Sequence, residues 1–198
     1  DEGEIVGSIG SDVLVGDAGG SSVEQQTQDY NFVFMLDYSG FMGSASDANS
    51  KISLLKNAVN NLLSDISTYD GGQIAVHLVP FNTQTLSTAT YTITNPGELA
   101  NLQAYLDGLS TDGYTNYEDP LQDAIDWLEG DGPYGGNAIT TTYFVSDGAP
   151  NRYVDDGGAV VSGSASKVID EITGGDFTNE VALIQSLSDE VISVGINV

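Results

Sequence analysis

Apolar positions along this chain follow two periods in turn. Phe32-Val33-Phe34-Met35-Leu36 is a continuous apolar run, and Thr141-Thr142-Tyr143-Phe144-Val145 is a second run of the same buried type. Such runs fit parallel strands covered on both faces. Gln73 to Val79 reads as another strand and Val191 to Val198 as a final one. The Thr-rich stretch from Phe81 to Ile93 suits an edge strand in a hairpin. Helical spacing intervenes. Behind a Ser50 cap, Ile52, Leu55, Val59, Leu62, Leu63 and Ile66 share one face, and Asp70-Gly71-Gly72 stops the helix. Asn95-Pro96-Gly97-Glu98 starts another, carrying Leu99, Leu102 and Leu106. A third begins near Pro120 with Leu121, Ala124, Ile125 and Leu128, and residues 164–172 and 178–188 complete the set. Strands alternating with helices predict an α/β fold with a mostly parallel sheet and right-handed crossovers. Ligands of such sheets bind beyond the carboxyl ends of the strands, where strand order reverses.

The 198 residues suit one domain at about 30–198 with an appendage at 1–29, which is rich in Gly, Ser, Asp, Glu and Gln. There is no cysteine, which excludes disulfides, thiolate metal sites and a cysteine nucleophile. Against 29 acidic residues stand 4 basic ones, for a formal net charge of −25. Phosphate backbones and anionic lipid surfaces are repelled by that charge, so neither nucleic acid nor membrane is an expected partner. The acid excess reads either as a solvated surface or as a supply of calcium ligands. No apolar run approaches the roughly 20 residues that span a bilayer. The sequence shows no signal peptide and does not begin with methionine, so a segment of a longer chain is expected.

Chemistry collects at the predicted strand ends. The first strand runs into Asp37-Tyr38-Ser39-Gly40-Phe41-Met42, and the later buried strand into Ser146-Asp147-Gly148. Gly113-Tyr114-Thr115-Asn116-Tyr117-Glu118 lies between them, just before a helix. Two carboxylates and two hydroxyls are thereby directed to one crevice, a hard-oxygen set suited to Mg²⁺ or Ca²⁺. Each piece alone also has a plain reading: Asp37 caps a loop, Thr115 caps the helix, and Ser-Asp-Gly makes a turn.

Taken in order, these segments resemble the von Willebrand factor A-type domain and its metal-ion-dependent adhesion site, D-x-S-x-S followed by a Thr and then an Asp. Asp37-Tyr38-Ser39 matches the first part, Thr115 the G-G-T-N-Y segment and Asp147 the S-D-G segment. The resemblance covers roughly 31–198. It implies a doubly wound fold and a divalent cation approached directly by Ser39 and Thr115. Asp37 and Asp147 would act mainly through waters. It also implies an open coordination position for an acidic group of a partner, a protein or a cell-surface ligand. Tyr38, Phe41, Tyr114 and Tyr117 are then candidates for an aromatic rim, with packing within the loops an equal reading for the tyrosines. Phe41 departs from the pattern, replacing a hydroxyl ligand with a ring. The family's final strand and closing helix have no counterpart after 191–198, leaving either a shortened domain or a sheet edge covered by the N-terminal segment.

Gly7 to Gly20 resembles the G-G-x-G-x-D-x-L-x repeat of RTX proteins, matched by Gly7, Gly10, Asp12 and Leu14, with a fragment at Gly16-Asp17. Asp12 and Asp17 are its candidate calcium ligands; a flexible linker is the other reading. The two resemblances together imply a monomeric module of a large RTX adhesin, exported by type I secretion to the surface of a Gram-negative bacterium, with a role in adhesion and biofilms. A structural spacer with a degenerate site is the first alternative. A phosphotransferase with an aspartyl nucleophile is the second, but that class wants an acid at position 39, which is Ser. Neither G-x-x-x-x-G-K-[ST] nor G-x-S-x-G occurs, and the sole histidine, His77, lies mid-strand. The chain is therefore expected not to be an enzyme. Trp127 is expected to pack, and Asp155-Asp156-Gly157-Gly158 and Gly174-Gly175-Asp176 to be surface turns or peripheral calcium loops.

Overall fold

The apolar run at 32–36 becomes the central strand of a five-stranded sheet. In the computed structural model, which describes residues 27–93, 96–130, 132–174 and 179–196, β1 spans Tyr30–Asp37. It is followed by a single 3₁₀ turn at Gly40–Met42 and by α1, Lys51–Ile66. Next come β2 (Ile74–Phe81), β3 (Ala89–Thr92), α2 (Pro96–Gly108), α3 (Glu118–Glu129) and β4 (Ile139–Ser146). A small hairpin, β5 (Arg152–Val154) and β6 (Val160–Ser162), precedes α4 (Ala165–Ile172), α5 (Glu180–Leu187) and β7 (Glu190–Gly195). The RTX-like segment with Asp12 and Asp17, the Asn95 cap, Gly175-Asp176 and the last two residues lie outside the described residues.

The sheet order is β3-β2-β1-β4-β7. β1 pairs in parallel with β2 and β4, and β4 with β7, while β3 runs antiparallel on β2. The fold is thus the expected α/β type with a mostly parallel sheet. Alternation along β1 sorts its side chains to two faces. Phe34 and Leu36 join Leu55, Val59 and Leu63 of α1 and Leu102 and Leu106 of α2 in one core. Val33 and Met35 join Leu121 and Ile125 of α3, Val168 and Ile172 of α4 and Ile184 of α5 in the other. Helices therefore cover both faces, as a doubly wound sheet requires. Each fully buried side chain of this size contributes about 1.5–3 kcal/mol over its exposed state, so the central strand is anchored from both sides.

Local chemistry sets the helix boundaries. The Ser50 hydroxyl accepts from the Ser53 amide at 3.3 Å, the Ser164 hydroxyl from Lys167 at 3.3 Å and the Asn179 side chain from Ala182 at 2.8 Å. The turn at 155–158 is a surface turn as expected, but it closes a hairpin whose strands escape the periodicity because each has only three residues. Asp155 Oδ1 accepts from the Gly157 and Ala159 amides at 3.0 and 2.9 Å there. His77 is buried mid-strand, stacked on Trp127 with ring centroids 4.7 Å apart, and its Nδ1 lies 2.8 Å from Thr90 Oγ1.

Strand order reverses beside β1. β2 is laid down on one side of it and β4 on the other, so the carboxyl ends of β1 and β4 flank the crevice where an open α/β sheet binds ligands.

Candidate functional site

Asp37 ends β1 fully buried at this switch point. Its Oδ1 accepts from the Ser39 amide at 2.7 Å and its Oδ2 from the Ser146 hydroxyl at 2.6 Å. Burial pushes the carboxyl above the ordinary aspartate range; hydrogen bonding from Ser146 and from the Ser39 amide and side chain opposes this, and the charge of Asp147 adds to it. Ser39 is equally buried, and its hydroxyl oxygen makes no hydrogen bond of good geometry. Buried hydroxyls are satisfied in nearly every fold, so this one retains capacity for a further partner.

The next loop is held by main-chain bonds. The Asp112 amide donates to the Tyr38 carbonyl at 3.0 Å, and Gly40 donates to the Gly113 carbonyl at 3.1 Å. Gly113 has φ +70°, and a Cβ there would meet Thr83 Oγ1 at 2.5 Å, so only glycine fits. Thr115 is buried, with its carbonyl accepting from the Asn151 and Arg152 amides at 2.9 and 3.1 Å. Its hydroxyl is not the α3 cap: Tyr117 holds the cap position without a side-chain bond, and the Asn116 side chain before it accepts from the Glu118 amide at 3.0 Å.

From β4, Asp147 presents a nearly buried carboxylate whose Oδ2 is 2.6 Å from Lys51 Nζ. The Tyr117 hydroxyl lies 2.9 Å from Ser146 Oγ and also reaches the Gly148 carbonyl. Phe41, Lys51, Thr115, Asp147 and Asn151 line an open crevice of about 300 Å³.

The structure brings Asp37, Ser39, Thr115 and Asp147 to one end of the sheet, on the three loops expected. It divides the aromatic candidates. Phe41, which lines the crevice, and Tyr114 are about half exposed, with the Arg152 guanidinium 3.6 Å above the Tyr114 ring. Tyr38 is corrected: it continues the alternation of Phe34 and Leu36 into the α1–α2 core, where its hydroxyl donates to the Leu106 carbonyl at 3.2 Å. Tyr117 is corrected too. It is buried beneath the loops, edge-on to Phe144, and supports Ser146 from below. Lys51, Ser146, Asn151 and Arg152 are site residues that sequence reasoning missed. Ser146 directly precedes Asp147 and was within reach of the pattern; the other three depend on tertiary placement.

The donor set can be tested against a divalent cation. Among the described residues no group of three or more His, Asp or Glu side chains is arranged to hold one. An ion here would rest on two carboxylates and two hydroxyls, with waters completing its shell. The Ser39 oxygen, which makes no well-formed hydrogen bond, fits that role. Phe41 adds no ligand, and its ring is more than half exposed.

Comparison with known proteins agrees with this architecture. A family model, the von Willebrand factor type A domain, matches residues 32–149. No curated protein matches by sequence. Among solved structures, the chain is similar to the PilB minor pilin from Streptococcus sanguinis, with 18% identity and TM-score 0.60, covering 88% of this chain and 51% of that one. It is also similar to the vWF domain of the type V pili tip protein Mfa5 from Porphyromonas gingivalis, with 14% identity and TM-score 0.51 over 65% of this chain and 40% of that one. The pilus adhesin SpaC from Lactobacillus rhamnosus GG, in its open conformation, gives 13% identity and TM-score 0.52 over 84% and 28%. The chain spans about half the length of the minor pilin and less of the other two. At these identities the likeness is one of fold.

Proposed function

Because the chain belongs to the von Willebrand factor type A domain family, we propose that it is an adhesive or ligand-binding module that grips an acidic group of its partner through a divalent cation in the switch-point crevice. The observation that carries this is the buried hydroxyl of Ser39 beside Asp37, which makes no well-formed hydrogen bond. Ser39 and Thr115 hold the ion, Mg²⁺ or Ca²⁺. Asp37 and Asp147 orient its waters and balance its charge. When bound, the ion supplies an open coordination position for a partner carboxylate. Phe41 and Tyr114 flank that position and add apolar contact area, which is what aromatic residues supply at interfaces. No catalytic step is assigned to these residues.

The pilus-protein names of the fold relatives support a place at the cell surface or in the secreted fraction. No helix among the described residues is long and apolar enough to cross a membrane. The finer setting, a Gram-negative RTX adhesin exported by type I secretion, rests on Gly7–Gly20 alone. A spacer with an ion-free crevice is the second reading, favoured by Phe41 in place of a hydroxyl.

Calorimetric titration of metal-stripped protein with Mg²⁺ and Ca²⁺ tests the proposal. Wild type should bind one ion in the crevice, and Asp37→Ala should lose it while staying folded. If the two proteins take up ions alike, the crevice is not the site and the spacer reading replaces this one.

A further inference from the structure

Basic residues are scarce in this chain: there are 4 against 29 acids. Lys56 is spent on the Asp107 and Leu109 carbonyls, 3.1 and 2.9 Å away, and Lys167 on Glu171. Arg152 lies over Tyr114. The fourth, Lys51, lines the crevice itself, with its Nζ 2.6 Å from Asp147 Oδ2. Its place in the helix makes this notable. Lys51 is the first residue of α1, directly after the Ser50 cap. A cation there faces the positive end of the helix dipole, the less favourable terminus for a lysine. The Asp147 carboxylate offsets that placement. It is almost enclosed, whereas the lysine side chain is about one-third exposed, so the ammonium caps the carboxylate from the solvent side.

Charge sharpens the point. Asp37 and Asp147 carry two negative charges when ionised, and Lys51 returns one positive charge. A divalent ion entering the crevice meets an ammonium already seated on one of its two carboxylates. With the carboxylate nearly enclosed and the lysine about one-third exposed, solvent screens the pair only in part, so its attraction exceeds that of a fully exposed pair. Position 41, where the family pattern has a hydroxyl, offers the ion nothing in exchange.

We infer that the Lys51 ammonium is a tethered cation that competes with the divalent ion for Asp147, so that ion binding requires the lysine side chain to swing away. The inference rests on the reading that the crevice takes a divalent ion. It gives the module a state in which its site is charge-compensated by the chain alone. The lysine stem is long and its head reaches solvent, so it can leave without disturbing the core.

The experiment is calorimetric titration with MgCl₂ of the whole chain, comparing wild type with Lys51→Met, Lys51→Arg and Lys167→Met, each also with Asp37→Ala. The last variant removes the same charge away from the crevice. Lys51→Met should bind Mg²⁺ about tenfold more tightly than wild type. Lys51→Arg and Lys167→Met should stay near wild type, and adding Asp147→Asn to Lys51→Met should abolish the gain. EDTA should lower the melting temperature of Mg²⁺-loaded Lys51→Met much more than that of wild type. Circular dichroism checks that each variant is folded; Lys51→Gln replaces Lys51→Met if that one is not. Equal, Asp37-dependent affinity in wild type and Lys51→Met overturns the competition and leaves the ion-binding reading standing. A gain matched by Lys167→Met, or kept in the Asp147→Asn background, also overturns it. Absence of Asp37-dependent binding in every variant overturns both.

Discussion

Ser146 at the end of β4 donates its hydroxyl proton to Asp37 at the end of β1, over 2.6 Å, and so ties the two strands that flank the switch point. Removing that donor leaves one oxygen of a buried carboxylate unsatisfied. Ser146→Ala should therefore cost about 1–3 kcal/mol at pH 7. The loss should shrink once Asp37 is protonated, which urea melts at pH 7 and pH 3.5 would register.

Asp37 itself is held at a cost to the fold. Its carboxyl titrates above its unfolded value because burial disfavours the charge. The folded state thus binds its proton more tightly than the unfolded one. This contribution is fully present below the unfolded pKa and is lost as pH rises through the folded one. At neutral pH the group is a burden. Asp37→Asn, nearly isosteric, should melt higher than wild type at pH 7 in EDTA, with the gap narrowing as the pH falls toward about 4 and closed below it. A variant that melts lower at pH 7 would show that the charge is better satisfied than its surroundings indicate.

His77 gives the opposite slope. Burial against Trp127 lowers its pKa to about 4 from the ordinary 6.5. Stability from the neutral ring is present above pH 6.5 and is lost as pH falls toward 4. The loss should be on the order of 3 kcal/mol. His77→Phe keeps the stack and removes the proton site. The difference in unfolding free energy between wild type and His77→Phe should vary across pH 6.5 to 4 and be flat above it.

Phe41 occupies the place of a hydroxyl ligand while remaining more than half exposed. Phe41→Ser should hold stability within about 0.5 kcal/mol, as for other exposed positions. It should also tighten Mg²⁺ binding on the order of tenfold, since an oxygen donor replaces a ring. Thermal melts and titration calorimetry read the two effects separately.

Much of this molecule was legible in its sequence, and the reasons are local. The run at 32–36 could only be a strand covered on both faces, and Ser50 marked the start of α1 because capping chemistry operates over three residues. Asp37, Ser39, Thr115 and Asp147 were legible because strand ends and a helix start converge in any open α/β sheet. Tyr38 was misjudged by reading it as a loop residue, although the period of two that places Phe34 and Leu36 on one face carries it to the same core. Tyr117 was misjudged because its place depends on Phe144 and Ser146, which lie far along the chain. Lys51 could not be found at all from pattern: its partner Asp147 stands 96 residues away, and only the register of β4 on β1 brings them together.

The loops around the crevice are laced to one another by main-chain bonds: Asp112 to Tyr38, Gly40 to Gly113, Asn116 to Asn82 and Asn151 to Thr115. Loops of most domains open individually and trade their amide hydrogens for deuterium within seconds. These loops should open together, because freeing one amide unlatches a neighbouring loop as well. The rim of this domain should therefore exchange on the clock of its sheet, and whatever dislodges any one loop, a pulling force included, is felt at once by the whole mouth of the crevice.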